Sequence, residues 1–288
     1  MSSIYIPQNI VEDVQSFLLM NAARRTNRLL PVAPMYALAG PSGSGKTTVF
    51  KSICADLGVH LEVVPASSMG GMYAGQSSIP VREGIIRAGH SDAWMSAVLI
   101  DDLDVTEARM DDNLSGTISS PLLNATLMCF ADDPYLLKIN DDPEKQRIVP
   151  LDRPPVVLIT CNDMSKLYEP LARDGRMKHA VLDPKGQDAV PIVQAMYPQT
   201  TLADIEKLVG DYPDASVAFF KQLGMQVAEA HAKRVVRTSK PHLPGFDFSA
   251  FSRDLATAAL GASYDQLATA AKRLSSEDRG KNYLKNAA

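Results

Sequence analysis

Gly40, Pro41, Ser42, Gly43, Ser44, Gly45, Lys46 and Thr47 form a run in which glycines lead into a lysine followed by a hydroxyl. Glycines at that spacing let backbone N–H groups turn inward around phosphate oxygens. The lysine reaches the β- and γ-phosphates of ATP, and the threonine hydroxyl joins the coordination of Mg²⁺. Thr48 extends the nucleotide-binding stretch into the next element. Further along, Ala97, Val98, Leu99 and Ile100 precede two carboxylates, Asp101 and Asp102. Asp101 is the expected Mg²⁺ ligand, with Thr47. Asp102 sits where a carboxylate polarises an attacking water. Asn162, just after another apolar run, is expected to touch the γ-phosphate or position the water. Arg173 and Arg176 flank Gly175. Paired arginines on such a turn suit delivery of charge into a neighbouring subunit's site, where they stabilise the transition state. Residues 67–76 contain Met72 and Tyr73 among glycines. They read as an adaptable loop that grips a polypeptide client.

These side chains need strand ends and helix starts to hold them. Met35–Ala39 reads as a buried strand ending in the glycine loop, and Thr47–Leu57 as the helix that follows. Leu61–Val64, Ala97–Ile100 and Val156–Thr160 read as further strands, with Ala180–Leu182 as a short fifth. Residues 9–26 have helical spacing with Asn9 as the expected N-cap, and Leu122–Ala131 is a second helix between strands. Strands alternating with helices imply right-handed crossovers and a mostly parallel sheet. Beyond Pro184 the pattern becomes helical: Ala189–Met196, Leu202–Val209, Ser216–Val236, Phe248–Leu260 and Tyr264–Leu274. The expected division is an α/β nucleotide-binding domain over residues 1–184 and a helical lid with a C-terminal tail over 185–288.

Bulk properties narrow the function. A net charge of −4 without a basic stripe argues against nucleic-acid binding. The basic stretch around Lys233, Arg234, Arg237 and Lys240 reads as a solvated helix face. Three scattered cysteines and five histidines show no metal-ligand spacing and suit a reducing compartment. No apolar run approaches the roughly 20 residues of a membrane span, and the first residues lack a signal-peptide pattern. A bacterial cytoplasmic location is expected, with a plastid stroma as the alternative if a transit peptide is missing from this stretch.

Taken together, the motifs resemble one family. Cys161, Asn162 and Asp163, Leu167 and Tyr168, Pro170 and Leu171, and the run from Arg173 to Met177 are similar to Rubisco activase, an AAA+ ATPase, in its cyanobacterial form without the plant N-terminal extension. Asn124–Met128 followed by Ala131 and Asp132 is a second match. Asp102, Leu103 and Asp104 with Arg109 are a third. Looser echoes are Tyr5–Pro7, Phe219 with Phe220, and Tyr283 with Leu284. The resemblance implies an α/β AAA+ core with a P-loop and parallel sheet, followed by a small all-helical lid. It implies a homo-oligomeric ring, usually a hexamer, that uses ATP and Mg²⁺ to remodel Rubisco and free inhibitory sugar phosphates. It also carries over Asn162 as first sensor, Arg173 and Arg176 as arginine fingers, and residues 67–76 as a pore loop. Three places depart from the family: the glycine loop lacks the usual Gly-Lys-Gly form, Met72 and Tyr73 replace small or polar residues, and Gly224 and Gln226 stand where the family has arginines, one of them its second sensor.

Other readings share some of these residues. The glycine loop is close to that of guanylate kinases, but those enzymes are shorter and need no Arg173–Arg176 turn. A nucleotide-binding scaffold without turnover conflicts with intact Lys46, Asp101, Asp102 and Arg176. An AAA+ engine acting on a different protein client fits the same motifs.

Overall fold

The computed structural model of the chain describes residues 5–65, 78–104, 119–142, 145–173, 175–239 and 246–278. The chain divides into two compact units: Ile6–Asp183, and Pro184–Ala288 together with Met1–Tyr5.

The first unit is built on a five-stranded parallel sheet. Its strands are β1 (Met35–Ala39), β2 (His60–Pro65), β3 (Ser96–Asp101), β6 (Val156–Cys161) and β7 (Met177–Val181), in the order β2-β3-β6-β1-β7. Helices cover both faces, so the central strands are buried along nearly their whole length and mostly apolar rather than alternating. One face gathers Ala37, Val98, Ile100, Val157 and Ile159 against α3 (Ile79–Gly89) and α4 (Ser119–Asp132). The other gathers Tyr36, Leu38, Leu99 and Leu158 against α1 (Gln8–Thr26) and α2 (Lys46–Asp56). Successive residues of one strand therefore feed two different cores, as the two-residue strand period requires.

Several expected boundaries change. Helix α1 begins at Gln8 with Pro7 at its N-cap, and no side chain caps it, so Asn9 lies inside the helix. The fifth strand of the sheet runs Met177–Val181 rather than Ala180–Leu182. It is an edge strand in which buried Met177 is followed by exposed Lys178 and His179, with Val181 exposed as well, so no apolar run marks it. A hairpin of β4 (Leu136–Asp142) and β5 (Lys145–Pro150) was not anticipated. Among the residues of β4 whose side chains are described, Leu137 and Ile139 reach the core, while Ile148 of β5 is half exposed.

The second unit is helical: α5 (Val190–Met196), α6 (Leu202–Asp211), α7 (Val217–Ser239), α8 (Phe248–Leu260) and α9 (Tyr264–Asp278). Its own core centres on Val193, Tyr197, Leu208, Phe220, Leu223 and Leu267. Thr201 and Asp247 cap α6 and α8 by accepting backbone N–H bonds of the first turn. At Tyr197 the ring lies in this core while its hydroxyl donates to the Phe220 carbonyl (2.5 Å) and accepts from the Gly224 N–H (2.7 Å). A Cβ at position 224 would sit 2.9 Å from that oxygen. Gly224 is thus matched to a tyrosine wedged against the helix.

Candidate active site

Strands β1, β3 and β6 are neighbours and parallel, so their carboxyl ends emerge together. Ligands of open α/β sheets bind at that edge. Residues Gly40–Gly45 leave β1 and deliver the chain to α2. Gly40 cannot be another residue, because a Cβ there would lie 2.0 Å from the Leu182 carbonyl oxygen at the end of β7. Gly45 immediately precedes α2 with φ 97°, a left-handed geometry that glycine adopts without strain. Pro41 is partly covered, and Ser42, Gly43 and Thr48 are exposed. Ser44 is 5% exposed and its Oγ has no partner, an orphaned polar atom inside the loop. A phosphate oxygen is the kind of group that satisfies such an atom at a helix start.

Lys46, the first residue of α2, is 5% exposed. Its Nζ donates to the carbonyls of Gly40 (2.7 Å) and Pro41 (3.1 Å) and to Asn162 Oδ1 (3.1 Å). Burial lowers its pKa, while Asp102, Asp104 and Asp101 pull the other way. Thr47 Oγ1 donates to Asp101 Oδ1 at 2.5 Å. This places a hydroxyl and a carboxylate oxygen together beside the loop, hard oxygen donors of the type Mg²⁺ takes. Among the described residues no group of three or more His, Cys, Asp or Glu forms a metal cage. Mg²⁺ in nucleotide sites needs only one or two protein ligands, the phosphates and water supplying the rest, so the residues present fit it.

Asp102 has φ 55°, the one non-glycine residue with positive φ among the described residues. Its N–H donates to Thr160 Oγ1 (2.8 Å), and that hydroxyl donates in turn to Asp101 Oδ1 (2.8 Å). Burial and then the neighbouring Asp101 carboxylate raise the Asp102 pKa, against the pull of Lys46. A raised carboxyl has more affinity for a proton, the direction a general base needs.

Asn162 is fixed from behind. Buried Asp104 accepts from its backbone N–H (3.0 Å) and from Nδ2 (3.4 Å), which turns Oδ1 toward Lys46. Sequence reasoning assigned no role to Thr160 or to Asp104. Thr160 reads as the end of an apolar run. Asp104 had only its place in the family match, and its contact lies 58 residues away in the chain.

The structure brings Lys46, Thr47, Asp101, Asp102 and Asn162 into one cluster and leaves the two arginines out of it. Met177 pairs with Met35 at the amino-terminal edge of the sheet, opposite the glycine loop. A five-residue strand at about 3.3 Å per residue separates the edges by roughly 16 Å. Arg176 donates from Nε and Nη2 to the carboxylate of Asp132 (2.8 and 3.2 Å) and from Nη1 to the Pro170 carbonyl (2.9 Å). Arg173 is exposed, with Glu169 3.5 Å away. Met72 and Tyr73 lie outside the described residues.

Comparison with known proteins agrees with this geometry. The family model "ATPase family associated with various cellular activities (AAA)" matches residues 36–184, just over half of the chain. Among curated proteins, a ribulose bisphosphate carboxylase/oxygenase activase of Anabaena sp. is 29% identical over 78% of this chain and 54% of its own length. One from Nostoc sp. is 27% identical over 85% of this chain and 58% of its own. The chloroplastic activase of Chlamydomonas reinhardtii is 31% identical over 65% and 46%. The chain thus spans about half the length of the curated relatives it matches. With the glycine loop at the end of β1, paired carboxylates at the end of β3 and a polar residue at the end of β6, all inside the matched stretch, the chain belongs to the AAA family of ATPases.

Proposed function

We propose that this chain is an ATP-dependent protein remodeller that works as a homo-oligomeric ring, hexameric in the manner its resemblance implies, with Rubisco as client. The observation that carries the ATPase part is the bonding of Lys46, Thr47, Asp101 and Asn162 around the glycine loop. Gly40–Gly45 with Thr48 bind the phosphates, Lys46 neutralises their charge, and Asp102 accepts a proton from the attacking water. Asn162 positions that water. Thr47 and Asp101 would hold Mg²⁺, which when bound would supply charge stabilisation to the phosphoryl group. Arg173 and Arg176, which precede β7 at the edge of the sheet opposite their own loop, act on a neighbouring copy. Residues 1–184 are the nucleotide-binding domain and 185–288 the lid, and Met72 and Tyr73 grip the client. The setting is the bacterial cytoplasm, and neither nucleic acid nor membrane is a partner. Among the described residues no helix is long and apolar enough to cross a membrane.

The Rubisco client rests on similarity to the activases of Anabaena and Nostoc. One feature favours a second reading, an AAA ATPase with a different protein client: the lid carries Gly224 where the family has an arginine, and Tyr197 fills the space beside it. The test is ATP-dependent recovery of carboxylation by sugar-phosphate-inhibited Rubisco, run beside an ATPase assay. Recovery supports the Rubisco client. ATP turnover without recovery, across Rubiscos from several sources, selects the second reading.

A further inference from the structure

Arg176 is held more closely than a surface arginine needs to be. The turn that carries it is closed by the Arg176 N–H to Arg173 carbonyl bond (3.1 Å) and bends through Gly175 at φ 88°. Asp132, the last residue of α4, then grips the guanidinium along one side through Nε and Nη2. The Pro170 carbonyl takes Nη1. The arginine side chain is 25% exposed and the aspartate 58%. Asp132 and Gly175 also border an open hollow of about 620 Å³, so helix end and turn meet at the surface.

An ion pair this exposed adds little to stability. Its two-point geometry instead fixes a planar group in one orientation. Three N–H groups are used, and a guanidinium has others. Beside it, among the described residues, Arg173 makes a 3.5 Å contact with an exposed glutamate. Arg176 is therefore the more firmly oriented of the two. Catalysis by charge placement gains most from groups that need no reorganisation when the reaction occurs.

We propose that Asp132 is a positioning residue: by gripping one side of Arg176 it presents the remaining N–H groups of that guanidinium to the nucleotide of a neighbouring copy. The inference rests on the shared-site reading given under the proposed function. It adds to that reading a residue which touches neither nucleotide nor neighbour. If Asp132 instead only staples α4 to the turn, its loss lowers the melting temperature and leaves turnover per folded subunit unchanged.

The experiment uses the full chain as wild type, Asp132→Asn, Asp132→Ala, Arg176→Ala and Asp132→Ala/Arg176→Ala. Turnover is read by phosphate release and affinity by a fluorescent ATP analogue. Asp132→Asn, which keeps the shape and removes the charge, is expected to lower kcat by about ten- to a hundredfold, the scale of a misplaced catalytic group. Affinity should stay within about twofold, because Lys46 and the glycine loop are untouched. The double variant should be no slower than Arg176→Ala alone. Mixing Asp132→Asn with Lys46→Ala subunits should restore turnover, since the second kind lacks phosphate binding but still offers a correctly held Arg176. Wild-type kcat in both Asp132 variants, losses that multiply in the double variant, or no restoration on mixing would each overturn the inference. If Arg176→Ala retains full turnover, the shared-site reading falls and the inference with it. If Arg176→Ala is slow and Asp132→Asn is not, the inference alone falls.

Discussion

Removing one oxygen from the lid tests the packing around Gly224. Tyr197→Phe keeps the ring in its core and deletes the hydroxyl that bonds both the Phe220 carbonyl and the Gly224 N–H. Those two groups are four residues apart, the pair an α-helix joins. If α7 closes on itself, the net loss is one hydrogen bond, about 0.5–1.5 kcal/mol. If the ring holds the helix as it is, two buried groups lose their partner at about 1–3 kcal/mol each. Tyr197 is only 3% exposed and packs in the lid core, which resists closure, so a loss of about 2–6 kcal/mol is expected. Gly224→Ala approaches the same contact from the helix side. Alanine gains about 1 kcal/mol of helix propensity. Its Cβ, however, would meet the Tyr197 oxygen at 2.9 Å and Cε1 at 3.1 Å, an overpacking cost of about 1–3 kcal/mol. The net effect is neutral to destabilising, opposite to that of an ordinary exposed helical glycine.

The assay can separate the two units. The chain's only tryptophan, Trp94, lies in the α/β unit. Urea unfolding followed by tryptophan fluorescence therefore reports that unit, and far-ultraviolet circular dichroism reports both. Tyr197→Phe should shift part of the dichroism transition to lower urea and leave the fluorescence midpoint in place. Unchanged dichroism in Tyr197→Phe together with a stabilised Gly224→Ala would refute the wedge.

Three other outcomes follow from the site. Gly40→Ala, whose Cβ would lie 2.0 Å from the Leu182 carbonyl, should cost about 3 kcal/mol or more and abolish nucleotide binding, checked by melting temperature and titration. Lys46→Ala should weaken ATP binding, whereas Asp102→Asn should bind ATP and turn it over about 10²–10⁴ times more slowly, separated by titration and phosphate release. The folded chain raises the Asp102 pKa, so its ionisation opposes folding above the unfolded value and the penalty vanishes as pH falls below it. Asp102→Asn should accordingly melt higher than wild type near pH 7 and show no gain near pH 3. Wild-type turnover should fall on an acid limb displaced upward from that of an ordinary aspartate.

The sequence showed best those parts whose physics is local. β1, β3 and β6 are buried on both faces, so their apolar runs stand out, and the glycine loop follows from spacing alone. β7 interrupts its apolar residues with exposed Lys178 and His179 because it is an edge, and its pairing with β1 is what makes it a strand. The β4–β5 hairpin mixes charges with a few inward residues and offers neither a clean alternation nor a tight glycine turn. The contacts of Thr160 with Asp102 and of Tyr197 with Gly224 join residues 58 and 27 apart, and no local pattern announces them. The Arg176–Asp132 pair spans 44 residues; both residues stood in the family match, yet nothing in the sequence joined them.

The geometry at the end of β3 shows how such distant contacts bear on chemistry. A left-handed conformation costs a non-glycine residue about 1–2 kcal/mol, yet Asp102 adopts φ 55°. The strain persists because the Thr160 hydroxyl accepts the Asp102 N–H and donates to Asp101. One side chain of β6 thus holds both the strained backbone and the carboxylate paired with Thr47. Just past the same strand, Asn162 is held by Asp104, two residues beyond Asp102. β3 and β6 therefore lock each other's ends reciprocally: Thr160 fixes the acids, and an acid fixes the amide. Neither strand end can turn without breaking a bond made by the other, so the proposed metal ligand, base and sensor are oriented as one unit rather than as three independent side chains.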